Sequence, residues 1–163
     1  MKIDFSIIEE KDRDLINTLL QFESYDLCKV FKNDLNENGR YNSDIKDYFI
    51  SDGKSYIIRA DGKIAGFMLI RKKIGLLSVE DFWIYPKYRQ GLFAYRLLIE
   101  FSKIEEGLVE YLILKEDERW LNVLEYMMKK HPNHVEIIMK QDYQFIFESK
   151  PHDIKRYVVK LQK

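Results

Sequence analysis

The sequence predicts an α/β domain with a mixed sheet, and three observations carry that prediction. SYIIRADGKIAGFMLIR, residues 55–71, holds two apolar runs around Asp61-Gly62, a dipeptide that accepts the positive φ angles of a tight hairpin turn. A third apolar run, Leu76 to Tyr85, follows Ile74-Gly75 and extends the hairpin into an antiparallel meander. A helix-periodic segment and another apolar run, Val109 to Leu114, come next. A strand, a helix and a second strand make a crossover, whose two strands run parallel.

The elements follow in order. Lys2 to Ile7 reads as the first strand. From about Glu10 to Phe31 the pattern is helical, with Leu15, Leu19, Phe22 and Leu27 as its apolar face. Residues 33–44, NDLNENGRYNSD, are dense in Asn, Asp and Gly and read as a loop. Asp44 can cap a short helix carrying Ile45, Tyr48 and Phe49. Within the third strand of the meander, Leu77 and Val79 occupy odd positions but Phe82 and Ile84 even ones. A β-bulge near Glu80-Asp81 produces such a phase slip. A strand buried on both faces is the other reading, because Trp83 and Tyr85 are also apolar. After Gly91, the residues Ala94, Leu97, Leu98, Phe101 and Ile104 keep helical spacing. A further helix, about Asp117 to Lys130, carries Trp120, Leu121, Leu124, Met127 and Met128 and stops before His131-Pro132. Strands are expected near His134 to Lys140 and Tyr143 to Glu148, with Arg156 to Leu161 as a third.

Length and composition suit a single domain, residues 1–163. The 27 Lys and Arg balance the 27 Asp and Glu, so no basic surplus points to nucleic acid or an anionic membrane. Cys28 is the one cysteine, which leaves no internal disulfide and reads as a structural thiol. His131, His134 and His152 lack ligand-like clustering, and no metal is expected. No apolar run reaches the length of a membrane span, and MKIDFSIIEEKDRD lacks the apolar core of a signal peptide. A cytoplasmic location is the expectation.

IYPKYRQGLFAYRLLI, residues 84–99, joins the meander to the next helix and carries the chemistry. The first N–H groups of a helix lack partners within it, and the helix dipole adds partial positive charge there. A glycine lets that backbone approach an anion closely. Arg89, with Arg96 a turn or two further on, adds charge. Residues Gln90 to Ala94 can therefore hold a pyrophosphate, although one glycine ahead of a helix is also what a plain turn uses.

EDFWIYPKYRQGLFAYRLL, residues 80–98, resembles the coenzyme-A-binding segment of the GNAT N-acetyltransferases. There a strand leads into P-x-Y-R and an Arg/Gln-x-x-Gly-x-Gly/Ala turn that opens a helix. Arg89 matches the first position of that turn and Ala94 the last; Leu92 stands where the central glycine is usual, with Gly91 one residue early. LLQFESYD (19–26), DLNENGRY (34–41) and IRADGKIAGFMLIR (58–71) resemble stretches of an uncharacterised bacterial branch of the same superfamily. The resemblance spans about residues 5 to 130.

It implies a GNAT-type fold, in which the strand before the turn bulges and splays from its parallel neighbour to admit the pantetheine arm. The matching residues are Phe82, Trp83 and Ile84, with Arg89, Gln90, Gly91, Leu92, Phe93 and Ala94 at the pyrophosphate. It implies acetyl-CoA as co-substrate, no metal, and acetyl transfer to a primary amine by direct attack. An ammonium has no lone pair, so a base helps; Glu80, with Asp81 second, is placed for it. The family's thiolate acid is often a Tyr seven residues after an Asn; Tyr126 matches the Tyr, while Arg119 stands at the Asn. The acceptor, a small-molecule or peptide amine, is expected at Phe22, Tyr25 and Asp26, where Asp26 can attract a cation. A homodimer is left open, and a non-catalytic acyl-CoA-binding or protein-interaction module is the alternative.

Overall fold

The structure, a computed structural model, describes residues 1–90, 92–131, 135–147 and 150–162. Its strands are Ile3–Ile7 (β1), Tyr56–Ala60 (β2), Lys63–Lys73 (β3), Leu76–Ile84 (β4), Gly107–Leu114 (β5), Val135–Phe147 (β6) and Lys150–Leu161 (β7). Its helices are Arg13–Phe31 (α1), Asp47–Ser51 (α2), Phe93–Ile104 (α3) and Glu118–Lys130 (α4). The strands form one sheet in the order β1-β2-β3-β4-β5-β7-β6. Pairing is antiparallel except between β4 and β5. At the first hairpin both Asp61 and Gly62 take positive φ, 47° and 78°, as the Asp-Gly turn requires.

The decisive irregularity lies in β4. Asp81 pairs with Leu69 and Val79 with Ile70, so Glu80 has no opposite residue on β3 and the strand bulges there. Leu77, Val79 and Ile84 join one core, with Phe82 packed against it; that core also holds Leu97, Leu98 and Phe101 of α3 and Leu124 and Met127 of α4. With residues on both sides of the bulge facing α3 and α4, Glu80 and Asp81 must both face the other layer. Trp83 does too: it packs with Ile16, Leu19 and Leu20 of α1, Phe49 of α2, and Phe67 and Leu69 of β3.

The bulge also ends the parallel ladder. Leu77, Ser78 and Val79 pair with Val109, Glu110 and Tyr111, and the pairing goes no further. Beyond it β4 stays on β3 as far as Ile84, while β5 stays on β7 as far as Leu114. A gap therefore opens through the sheet between the ends of two parallel strands.

The loop 33–44 packs back on α1. Gln21 Nε2 donates to Tyr41 O (3.1 Å), Tyr41 N donates to Gln21 Oε1 (2.8 Å), and Ser24 Oγ donates to Ser43 Oγ (2.8 Å). Ile45 N donates to Asn17 Oδ1 (2.8 Å). The short helix starts at Asp47 behind Lys46, so Asp44 is not its cap. The long helical segment begins with a 3-10 turn, Glu10–Asp12, before α1.

Two strands expected near 134–140 and 143–148 are one strand, β6, and the third becomes the long β7. Gln141 and Asp142 read as a break, yet they pair with Arg156 and Lys155. An edge strand exposed to water tolerates polar residues mid-run, and Asp142 also meets Lys115 (3.5 Å). His134 and Glu148 lie outside the described residues.

Gly66 is dictated by close approach: a Cβ there would lie 2.1 Å from Trp83 O and 3.1 Å from Ile84 Cα. We expect Gly66→Ala to force β3 from β4 and cost about 1–3 kcal/mol, a drop of several degrees in Tm by differential scanning calorimetry. An unchanged Tm would mean that β4 yields freely at Trp83.

Candidate active site

The bulge sets the polar groups and the gap sets the space around them. A cavity of about 610 Å³ lies between α1, the loop behind it and the sheet and reaches through to Leu98 of α3 and Leu124 of α4; Glu23, Leu27 and Phe31 line one wall, and Glu80, Asp81 and Phe82 another. A second cavity of about 220 Å³ is bounded by Trp83, Ile84, Arg89, Ala94, Trp120 and Val123. Glu23, Leu27, Phe82, Asp117 and Trp120 line both, so the two are one cleft running through the splayed strands.

The carboxyls at the junction differ in state. Glu80 lies near two cations, Lys73 Nζ at 3.9 Å and Arg71 Nη1 at 4.0 Å. The Asp81 carboxyl is pushed up to about 6 by burial and by the neighbouring Glu80 charge. Glu23, 8% exposed, is raised well above the usual carboxyl range by burial, then by Asp81 and Asp26. The phenol of Tyr111, which lines the same cavity, is raised by burial alone and stays protonated at neutral pH. Tyr111 Oη is buried without a hydrogen-bond partner among the described residues, as is Asn33 Oδ1, and both residues line the larger cavity.

A clasp closes the smaller cavity. Asp26 Oδ2, on α1, accepts from Trp83 Nε1 (2.8 Å) and from Arg89 Nη2. Arg89 Nε donates to Ile84 O (2.7 Å), and its guanidinium lies 5.6 Å from the Trp83 ring centroid. The first turn of α3 lacks a side-chain cap, since Leu92 stands at the N-cap.

No family model and no curated protein matches the sequence. Solved structures match its shape along nearly the whole chain. A spermidine N-acetyltransferase chimera from Vibrio cholerae and hSSAT superposes with a TM-score of 0.62 at 13% identity, covering 99% of this chain and 96% of that one. Diaminobutyrate acetyltransferase EctA from Paenibacillus lautus, in complex with its substrate and coenzyme A, gives 0.60 at 12% identity over 98% and 95%. Arabidopsis thaliana NAA60, with a bisubstrate analogue, gives 0.58 at 14% identity over 96% and 97%. The chain has the GNAT acetyltransferase fold.

Within that GNAT fold the expected site residues divide. Glu80, Asp81 and Phe82 line the larger cavity, and Phe82, Trp83, Ile84, Arg89 and Ala94 the smaller one. Gln90 and Leu92 are exposed, Leu92 at 62%; Phe93 is buried in the core, leaving only its backbone for a ligand. Gly91 lies outside the described residues. Arg96 donates to Met1 O (3.0 Å), which ties it to the chain start.

Tyr126 falls outside the cleft lining. It lines neither cavity, lies 46% exposed, and packs against Tyr95 of α3 with ring centroids 5.3 Å apart. The face of α4 that reaches the cleft carries Trp120, Val123 and Leu124; two residues past Leu124 is more than half a turn round the helix. The acceptor trio divides as well. Phe22 stacks on Trp83 (6.1 Å) and is 52% exposed, Tyr25 is 67% exposed, and Asp26 is committed to the clasp. None of the three lines the larger cavity, whereas Glu23, Ser24 and Leu27 do; Asp26 lines the smaller one.

The cause is a phase error on α1. Its buried face is Ile16, Leu19, Leu20, Glu23 and Ser24, about one residue round from the expected face. A hydrophobicity count misses a buried face that includes a carboxyl and a hydroxyl. The available signal was the stripe Ile16, Leu20, Glu23, Leu27: a charge set within an apolar series at helical spacing.

An acid raised by the fold disfavours its own ionised form. Folded-state stability associated with Asp81 is therefore greatest while it is protonated and is lost as pH rises from about 4 through about 6. Asp81→Asn should raise Tm by a few degrees at pH 7.5 and give no gain at pH 4. A gain of equal size at both values would assign the effect to something other than this proton.

Proposed function

We propose that the protein is an acetyl-CoA-dependent N-acetyltransferase that acetylates a primary amine by direct attack, with Asp81 as general base. The observation that carries this reading is the bulge at Glu80: it ends the β4–β5 ladder and sets a carboxyl poised near neutral pH beside the resulting gap. A base works best when its pKa lies near the working pH.

Coenzyme A suits the smaller cavity. Phe82, Trp83 and Ile84 present a strand edge with no partner on the β5 side, where a pantetheine amide can pair. The uncapped first turn of α3 supplies N–H donors for a pyrophosphate, with Gln90 to Ala94 as the cradle. Arg89 is held by Asp26 and Ile84 O, so its role is to brace that turn as well as to add charge.

In this reading the substrate ammonium gives one proton to the Asp81 carboxylate. The freed lone pair attacks the thioester carbonyl carbon, forming the C–N bond; collapse breaks the C–S bond and releases the thiolate. The second amine proton ends on that sulfur, relayed by the Tyr111 hydroxyl, which takes the acid role expected of Tyr126. Tyr111 is supported by its place in the cavity and its lack of a partner. Glu80, near Lys73 and Arg71, balances charge at the bulge.

Acetyl-CoA at about 100 times its Kd should stabilise the fold by roughly 2.7 kcal/mol in a thermal-shift titration. No shift at millimolar acetyl-CoA would overturn the reading, and binding without thiol release over an amine panel would favour the non-catalytic module. The acid limb of kcat/KM should rise with unit slope and level off near pH 6. Asp81→Asn should lower kcat/KM by about 10²–10⁴ while keeping the acetyl-CoA shift. Glu80→Gln should alter kcat/KM by less than about threefold; the opposite ranking would restore Glu80 as the base.

A further inference from the structure

The larger cavity carries acidic groups beside the bulge and an apolar stripe along α1, with Asn33 beyond the end of that stripe. Glu23, Leu27 and Phe31 follow one another at four-residue steps on α1, and all three line it. At 1.5 Å per residue this stripe runs about 12 Å from a carboxyl to an aromatic ring. Across from it, β5 carries Leu112 and Leu114, and the β6–β7 hairpin adds Phe145 and Ile154. In the sheet, Leu114, Ile154 and Tyr143 sit side by side across β5, β7 and β6. Phe31 meets Phe145 edge-on (6.4 Å) and the His152 ring at 4.8 Å, which closes the far end with aromatic surface.

Three groups mark the other end. Glu23 is 8% exposed, Asp81 stands beside the bulge, and Tyr111 is 5% exposed with its hydroxyl unpartnered among the described residues. The remaining charged residues of the lining are Glu80 in the bulge beside Asp81, Asp44 and Lys46 in the loop before α2, and Asp117 at the start of α4; Asp117 accepts from Trp120 N (3.3 Å) as the α4 cap. No charged side chain lies on the stripe between Leu27 and Phe31 or on the facing Leu112, Leu114, Phe145 and Ile154.

We infer that the larger cavity selects a primary amine with a single cationic head and an apolar body, a phenylalkyl or long alkyl chain. The head lies among Glu23, Asp81 and Tyr111, and the body runs along Leu27 to Phe31 and Phe145. A polyamine is disfavoured, because its second ammonium would be buried against Leu27, Phe31 and Ile154, which carry no counter-charge themselves. The transfer step rests on the acetyltransferase reading above; the binding preference does not.

The test uses the intact chain, 2-phenylethylamine, methylamine and spermidine, each titrated calorimetrically with and without coenzyme A. We expect 2-phenylethylamine to bind at least about tenfold tighter than methylamine or spermidine. Phe31→Ala should weaken 2-phenylethylamine about tenfold and leave methylamine unchanged. Phe31→Leu, which keeps apolar bulk, should recover most of the loss and guards against a simple folding defect. Spermidine binding as tightly as 2-phenylethylamine, no binding of 2-phenylethylamine, or indifference of its affinity to Phe31→Ala would each overturn the inference. If 2-phenylethylamine binds as expected but acetyl-CoA neither binds nor releases thiol with it, the cavity preference stands and the transferase reading falls.

Discussion

One unpaired residue organises this protein. Glu80 adds a position to β4 that β3 does not match, and two consequences follow from that single insertion. The side-chain phase flips, so two adjacent carboxyls face the same layer instead of opposite ones. The strand is also turned from its parallel neighbour, and the ladder with β5 ends after Val79. A regular strand would bury Phe82 and Ile84 on the wrong face and would leave no gap. Apolar contacts on both sides of the sheet hold the bulge, with Val79 and Ile84 in one core and Trp83 in the other.

The gap becomes a site only because α1 is drawn over it. Asp26 reaches the indole of Trp83 on β4 and the guanidinium of Arg89 in the following turn, so one carboxylate joins helix, strand and cofactor turn. Gln21, Ser24 and Asn17 then fasten the loop behind α1, closing the larger cavity from the side. Burial in that enclosure raises Glu23 and Asp81, whereas Glu110 in the sheet is held down to about 2 by hydrogen bonds from Lys73, Ser78 and Arg156, which outweigh its burial. Within one small fold, buried carboxyls thus divide into a structural anion with cationic partners and site acids without them.

Much of this was legible beforehand. The Asp-Gly hairpin, the meander, the parallel crossover and the odd-to-even slip at Glu80-Asp81 all arise from local pattern, and local pattern is what sequence records. The β4 side of the cleft follows from the same pattern. The α1 side did not, because the helix buries Glu23 and Ser24 where a reading by hydrophobicity expects Phe22. On α4 the spacing in sequence likewise did not report the face: Tyr126 packs against Tyr95.

By itself, the sequence determined the order of elements as far as α4, the phase slip at Glu80-Asp81, and the helix entrance after Arg89, since each depends on residues within a few positions of one another. Only the tertiary structure decided which side chains share the cavity. Asp26 and Arg89 are joined across 63 positions and Trp83 and Asp26 across 57. Tyr111 meets the bulge through a three-pair parallel ladder set by a crossover. Burial, pairing and the protonation that follows from them are properties of groups brought together by folding, and no local pattern encodes them.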